Sequence, residues 1–399
     1  MDSFAAELNN SLAELREQGL YRTLRRVDSP QQPRLEIDGR TVLNFSSNDY
    51  LGLAGDPTLK QAAISAVERF GAGSGASRLI CGSIAPHHEL EEALARFKGT
   101  EAALSFSSGY ATAVGTIVAL LGADDVIVVD KLVHACVVDA ARLSGAKLRV
   151  FGHNNLNDLE KILRWADQRP RDESGRRPRI LVVTESVFSM DGDQAPLREI
   201  VELKDQIGAW LMVDEAHATS LYGPRRRGLA EELGVGDRVE VQMGTLGKAL
   251  GSSGGYVAGP RLLIDYLINR ARSFIFSTAP VPAAAAAATA AVRFVESSEG
   301  EKRCASLRQL RLLLEESAAG SPIAGQLRQS RGAIIPILIG DESRAVETAR
   351  ALLKLGVFIP AIRYPTVARG QARLRLTLTA AHQADDVREL LAALAAVFN

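Results

Sequence analysis

Four short apolar runs, Val126–Val129, Ile180–Thr184, Trp210–Val213 and Val239–Met243, are each followed at once by polar residues, with helical stretches between them. Strands this uniformly apolar are covered on both faces, and parallel neighbours need helical crossovers. The spacing therefore predicts an α/β fold, a mostly parallel central sheet flanked by helices. In such a sheet the ligand crevice lies beyond the carboxyl ends of the strands. The residues there are Asp130 and His134, Glu185 and Ser189, Asp214 and His217, and Thr245 and Lys248. Singly, each has a plain reading: a strand-end Asp is a common helix N-cap, and a lone His is commonly a satisfied core or surface residue. Four strands aiming Lys, Asp, His, Ser and Thr at one edge make that edge the expected active site.

The segment Gly244–Gly255 surrounds Lys248 with glycine, serine and threonine and offers it no charged neighbour in sequence. A glycine-rich surface loop with a solvated lysine accounts for this segment by itself. The sharper reading is a lysine that forms a Schiff base with an aldehyde cofactor, in a turn tight enough to approach a phosphate. A pyridine ring is a strong electron sink only while its nitrogen is protonated, and Asp214 suits the carboxylate that keeps it so. His217 and Ser189 are placed to bond a phenolic oxygen, and His134 to lie flat on the ring. Gly109 and Tyr110 open a helix after the strand 102–106 and would turn N–H groups toward a phosphate, with Thr245 close by. Lys248, once displaced by substrate, would serve as the base.

Composition sets bounds on this. The 399 residues are 46% hydrophobic and 24% charged, enough for a large core and a second, smaller one. Basic and acidic residues balance at 47 each, without the basic excess of a nucleic-acid binder. No run reaches the roughly 20 apolar residues of a membrane span, and the chain opens at Met1-Asp2 without an apolar signal core, so a cytoplasmic protein is expected. Cys81, Cys136 and Cys304 are widely spaced and read as free thiols, with no metal-ligand pattern.

Along the chain, Phe4, Leu8, Leu12 and Leu15 mark one amphipathic helix whose stripe must lie on the body or on a second copy. Leu35–Ile37 and Thr41–Leu43 flank an Asp38-Gly39 turn and read as a hairpin. Helices are expected over 57–70 and 87–97, and the loop 71–78 lacks the ending of a P-loop. Ala283–Ala288 opens a long helix between lobes, and strands follow at 333–339, 357–359 and 374–378. The expected organisation is an N-terminal helix and arm (1–45), a large α/β domain (46–285) and a smaller α+β domain (286–399). The stretch 167–179 and Arg225–Arg227 read as solvated loops, CoA phosphates being the other use for such arginines.

From about residue 20 onward the chain resembles the α-oxoamine synthases, the fold-type I pyridoxal-phosphate enzymes that condense an amino acid with an acyl-CoA and lose CO2. The resemblance is carried by Asn44–Leu53, Gly73–Arg78, Phe106–Tyr110, Val187–Gly192, Val213–His217, Thr245–Lys248, Phe276–Thr278, Ala361–Thr366 and Ala372–His382. It implies pyridoxal 5'-phosphate as cofactor, no metal, and Lys248, His134, Asp214 and His217 as the catalytic set. It implies cofactor contacts from Gly109, Tyr110, Ser189 and Thr245, and from Thr278 in the other subunit of a homodimer. Asn48 and Arg375 match the carboxylate-holding pair, Thr366 a residue near the acyl chain, and Arg22, with Arg25 the close alternative, a basic substrate contact. The resemblance further implies an acyltransferase acting on L-alanine and pimeloyl-CoA or a pimeloyl carrier protein in biotin biosynthesis. Relatives that use glycine or serine, and a silent partner subunit, are the alternatives. Two positions depart from the pattern: Gly247 stands where many relatives carry Ser, and Tyr364 where the alanine-using branch usually has Pro.

Overall fold

The computed structural model describes residues 3–171, 173–319, 323–324 and 330–398. Met1, Asp2 and one position of the 167–179 stretch lie outside them. Its strands are β1 (Arg34–Ile37), β2 (Arg40–Asn44), β3 (Ala102–Phe106), β4 (Val126–Asp130), β5 (Lys147–Phe151), β6 (Ile180–Glu185), β7 (Trp210–Asp214), β8 (Val241–Thr245), β9 (Gly255–Gly259), β10 (Ile334–Gly340), β11 (Val357–Phe358), β12 (Ala361–Ile362) and β13 (Ala372–Thr377). The chain divides into two compact units. One comprises Asn48–Ser189 with Asp193–Ala305, the other Met1–Ser47, Met190–Gly192 and Ser306–Asn399.

The larger unit holds a seven-stranded sheet in the order β3-β9-β8-β7-β6-β4-β5. Strands β8, β7, β6, β4 and β5 run parallel, and β9 is antiparallel to both its neighbours, β8 and β3. Side chains alternate between two cores along each central strand. Ile127, Val129, Leu181, Val183 and Met212 pack on one face, and Val126, Val128, Val182, Leu211 and Val213 on the other. Both faces are apolar because helices cover both: Gly109–Leu120, Ala135–Ser144 and Arg261–Arg270 on the first, Leu156–Asp167 and Leu197–Ile207 on the second. Each fully buried Val, Leu or Ile here contributes about 1.5–3 kcal/mol relative to an exposed one.

Strands β5 and β9 carry little apolar signal, which is why the sequence pattern does not announce them. Lys147–Phe151 is charged on an edge, and Gly255–Gly259 begins and ends in glycine. Pairing with β9 also draws Gly244 and Thr245 out of the expected loop and into β8.

In the smaller unit Asp38 (φ 51°) and Gly39 (φ 71°) both occupy the left-handed region, as a two-residue hairpin turn requires, and they pair β1 with β2. Strand β11 adds parallel to β2, and β10, β13 and β12 form a second antiparallel sheet. Helices Glu342–Lys354 and Ala384–Phe398 belong to this unit. The helix Ser3–Glu17 forms as expected, but no residue of it is buried. Phe4, Leu8, Leu12 and Leu15 are exposed. No helix among the described residues is long and apolar enough to cross a membrane.

Candidate active site

Three neighbouring strands of the larger sheet, β4, β6 and β7, end in carboxylates, and the protein handles each differently. Asp130 is buried and accepts the N–H groups of Leu132 and Asn154, both at 2.8 Å, with the His153 ring 3.0 Å away. His153 also contacts Asp193 at 2.8 Å. Burial opposes its charge, but the two carboxylates prevail and hold the imidazole up at about 10. Glu185 lies opposite Asp214 in the β6–β7 register. Burial and then the Asp214 charge push its carboxyl up to about 8. Its Oε2 accepts the Ser189 N–H at 3.2 Å, and the His134 backbone N–H lowers the carboxyl pKa, while Oε1, buried, meets no partner among the described residues.

Asp214, also buried, accepts the Ala216 N–H at 2.9 Å. Burial raises its carboxyl above the ordinary aspartate value, and Lys248, the Ala216 N–H and His134 only partly reverse this. A buried carboxylate so placed has too little positive charge around it, and a protonated ring nitrogen would supply the difference. On this test the residues present fit pyridoxal phosphate.

Lys248 Nζ sits 2.7 Å from His217 Nε2, and His217 Nδ1 is 2.5 Å from the hydroxyl of the fully buried Tyr50. Tyr50 Oη in turn lies 3.3 Å from Asn48 Oδ1. His134 caps the helix Ala135–Ser144 by accepting the Cys136 N–H on Nδ1. Burial lowers its pKa, which suits a neutral ring lying against a cofactor. Its field reaches Asp214 and that of Lys248 reaches His134, so residues from β4, β6, β7 and β8 meet at one place.

The phosphate end is built by close backbone approach. Gly255 stands opposite both Thr245 and Phe106 in the sheet. A Cβ on Gly255 would lie 2.8 Å from the Cα and N of Gly109 and 2.4 Å from Thr112 Oγ1. A Cβ on Gly109 would in turn sit 3.9 Å from Thr245 Oγ1. Ser108 caps this helix by accepting the Ala111 N–H, and the first N–H groups of a helix have no partner within it. They open beside the Thr245 hydroxyl, which makes an anion cradle. Tyr110 is half exposed and its hydroxyl donates to Asp139 at 3.0 Å. A Cβ on Gly247 would meet nothing closer than 3.4 Å, so the missing serine there is not a steric requirement. Gly251 (φ 60°) differs, because a Cβ would lie 2.5 Å from the Ala54 nitrogen.

The remaining expected residues fall elsewhere. Thr278 is exposed, in a segment whose backbone bridges to Ser77. In the smaller unit Arg22, Arg25 and Thr366 line one cavity of about 500 Å3, together with Arg350 and Arg363. Arg375, on β13 in the same unit, is buried, and its Nη1 donates to Thr377 at 3.2 Å. Sequence reasoning passed over Tyr50 as part of a motif and gave Glu185 no role. An Asn-Asp-Tyr segment without helical or strand period was the one signal for the first, and a strand-end acid for the second.

Comparison with known proteins agrees with this geometry. The model of the aminotransferase class I and II family matches residues 40–394. The 8-amino-7-oxononanoate synthase of Geobacter sulfurreducens is 48% identical, over 97% of this chain and 96% of its own length. Among solved structures, a serine palmitoyltransferase from S. paucimobilis carrying a PLP–myriocin species superposes with a TM-score of 0.90 at 28% identity. It covers 100% of this chain and 98% of that one. The 8-amino-7-oxononanoate synthase of Francisella tularensis gives a TM-score of 0.73 at 26% identity, covering 89% of this chain and 97% of that one. The chain therefore belongs to the aminotransferase class I and II family of pyridoxal-phosphate enzymes and, within it, to the 8-amino-7-oxononanoate synthases.

Proposed function

We propose that the chain condenses L-alanine with a pimeloyl thioester, on CoA or a carrier protein, releasing CO2 and giving 8-amino-7-oxononanoate for biotin synthesis. The observation that carries this reading is Lys248 Nζ at 2.7 Å from His217 in the electrostatic field of buried Asp214, in a chain 48% identical to a relative of that name. When bound, pyridoxal phosphate supplies an electron sink for the bond that breaks at the amino acid's Cα.

The chain's own residues divide the rest of the work. Asp214 holds the ring nitrogen, His134 packs on the ring, and Ser189 and His217 bond the phenolic oxygen. Gly109 and Tyr110 offer N–H groups, and Thr245 a hydroxyl, to the phosphate. Lys248 is the amine that anchors the cofactor and then takes the α-proton of alanine on Nζ. Asn48 and Arg375 grip the alanine carboxylate, for which a guanidinium fork is well shaped. Arg22 and Thr366 face the acyl chain, supported by their place in one cavity. Exposed Thr278 reaches the phosphate of a partner's site, so the working unit is a homodimer, in the cytoplasm.

Mass spectrometry of the product from L-alanine and pimeloyl-CoA tests the assignment. Lys248→Ala should cost a factor of about 10²–10⁴ or more in turnover, the range for a removed general base. Preferential consumption of glycine or L-serine would overturn it.

A further inference from the structure

His153 and Asn154 have no part in the catalytic set above, yet both are bonded to the turn that carries Ser189. That turn leaves β6 and folds back on itself. Val187 bridges Gln194, Phe188 N–H donates to the Asp193 carbonyl at 3.0 Å, and Ala195 N–H donates to the Ser186 carbonyl at 3.1 Å. Ser189 follows directly on the first arm, and Asp193 opens the second. Whatever holds Asp193 therefore holds Phe188, and Ser189 is the next residue.

The grip on Asp193 comes from two strands away. In the sheet β5 neighbours β4, and β4 neighbours β6. His153 and Asn154 stand just past β5, Asp130 ends β4, and Asp193 lies in the turn after β6. The His153 ring spans both carboxylates, Nδ1 to Asp130 Oδ1 at 3.0 Å and Nε2 to Asp193 Oδ2 at 2.8 Å, and an imidazolium donates from both nitrogens. Asn154, at φ 53°, turns its backbone N–H to Asp130 Oδ2 at 2.8 Å. Its side-chain amide donates to Asp193 Oδ2 at 3.1 Å and to the Gln194 carbonyl at 3.2 Å. The His153 ring also meets Phe188 edge to face, with centroids 4.4 Å apart, so the first arm is held as well. Asp193 Oδ2 takes both donors, while its Oδ1, buried, meets no partner among the described residues. A staple for the edge strand alone would need Asp130 only, whereas the second carboxylate and the Gln194 carbonyl belong to the turn. We propose that His153 and Asn154 are positioning residues: they clamp Asp193 and Gln194 against the end of β4 and thereby fix the turn that presents Ser189 to the cofactor. The part played by Ser189 at the phenolic oxygen rests on the proposed function, and the clamp does not.

Hydrogen exchange of the full chain, with and without pyridoxal phosphate, tests the clamp. In the unaltered protein the arms 186–189 and 193–195 should exchange about as slowly as β4 and β6. Asn154→Gly keeps the left-handed backbone and removes only the amide, and should speed exchange of the arms about tenfold or more while β4 and β6 stay unchanged. Asn154→Asp has nearly the same shape but sets a carboxylate against Asp193, and should be worse than Asn154→Gly. In an absorbance titration Asn154→Gly, His153→Gln and Ser189→Ala should each weaken cofactor binding about three- to tenfold, the worth of one hydrogen bond. Added to Ser189→Ala, neither of the other two should change the affinity by more than about twofold. A merely structural pair would speed exchange throughout the sheet and keep its full effect in the Ser189→Ala background. That pattern overturns the proposal, as does an Asn154→Asp variant that matches the unaltered protein. Fast exchange of the arms in the unaltered protein overturns it too, and needs no variant. Ser189→Ala that binds cofactor like the unaltered protein would instead refute the role given to Ser189, and the exchange rates would still decide the clamp.

Discussion

Lys98 and Glu215 form an ion pair with side chains only 1% and 0% exposed, Nζ to Oε2 at 2.6 Å. Burial alone would drive the ammonium to shed its proton, but the Glu215 charge, with Tyr256 and Glu231, holds it above the ordinary lysine value. The pair is also bonded outward: Lys98 donates to the Arg227 carbonyl, and Glu215 Oε1 accepts the Ala230 N–H at 2.8 Å. At an effective dielectric of about 20 its attraction is on the order of 6 kcal/mol, and desolvating two ions costs a comparable amount. The intact pair is therefore close to neutral for stability, whereas half of it is not. Lys98→Met strands a buried carboxylate beside Asp214 and should cost about 3–5 kcal/mol. At about 2–4 °C per kcal/mol for a unit of this size, the melting temperature should fall by roughly 6–20 °C. Lys98→Met/Glu215→Gln removes the stranded charge and keeps a carbonyl for Ala230, so it should recover to within about 1–2 kcal/mol of the unaltered protein. Calorimetry of the three proteins measures this. A single variant losing less than about 1 kcal/mol, or a double variant no better than the single, would refute the reasoning.

Gly255→Ala pushes a methyl into the Gly109 backbone and should weaken pyridoxal-phosphate binding about tenfold or more, a cost of at least ~1.4 kcal/mol, while Gly247→Ser should bind as before. An absorbance titration compares them, and equal affinities would overturn the account of the cradle. His153, held up at about 10 against an unfolded value near 6.5, stabilises the fold fully below about pH 6.5 and progressively less toward pH 10. Since the ring is partly exposed, we discount the effect to about 1–2 kcal/mol. The gap in melting temperature between the unaltered protein and His153→Gln should accordingly close as pH rises from 6 to 10, and a constant gap would count against the ion pairs.

The central strands were legible because a strand buried on both faces is apolar along its length, and β4, β6 and β7 are apolar up to their carboxyl ends. Their polar carboxyl-terminal neighbours were legible for the same reason, standing out against apolar runs. Strand β9 was not, since only Tyr256, Val257 and Ala258 stand between its terminal glycines, too short an apolar run to announce a strand, although all three are buried. The stripe of the N-terminal helix was readable as apolar, but a sequence does not say which surface covers it, and here its residues stand exposed.

Residue type and spacing alone thus determined that Lys248, Asp214, His217 and His134 would share one sheet edge, because chain direction and strand parity put them there. What each group does at that edge is decided by its three-dimensional neighbours. Asp130 is paired with His153, the Glu185 carboxyl is pushed up by burial and the Asp214 charge, and His217 is caught between Tyr50 and Lys248. Protonation answers to burial and to charges a few ångströms away, and those distances are set between residues as far apart in the chain as Tyr50 and His217, separated by 167 positions.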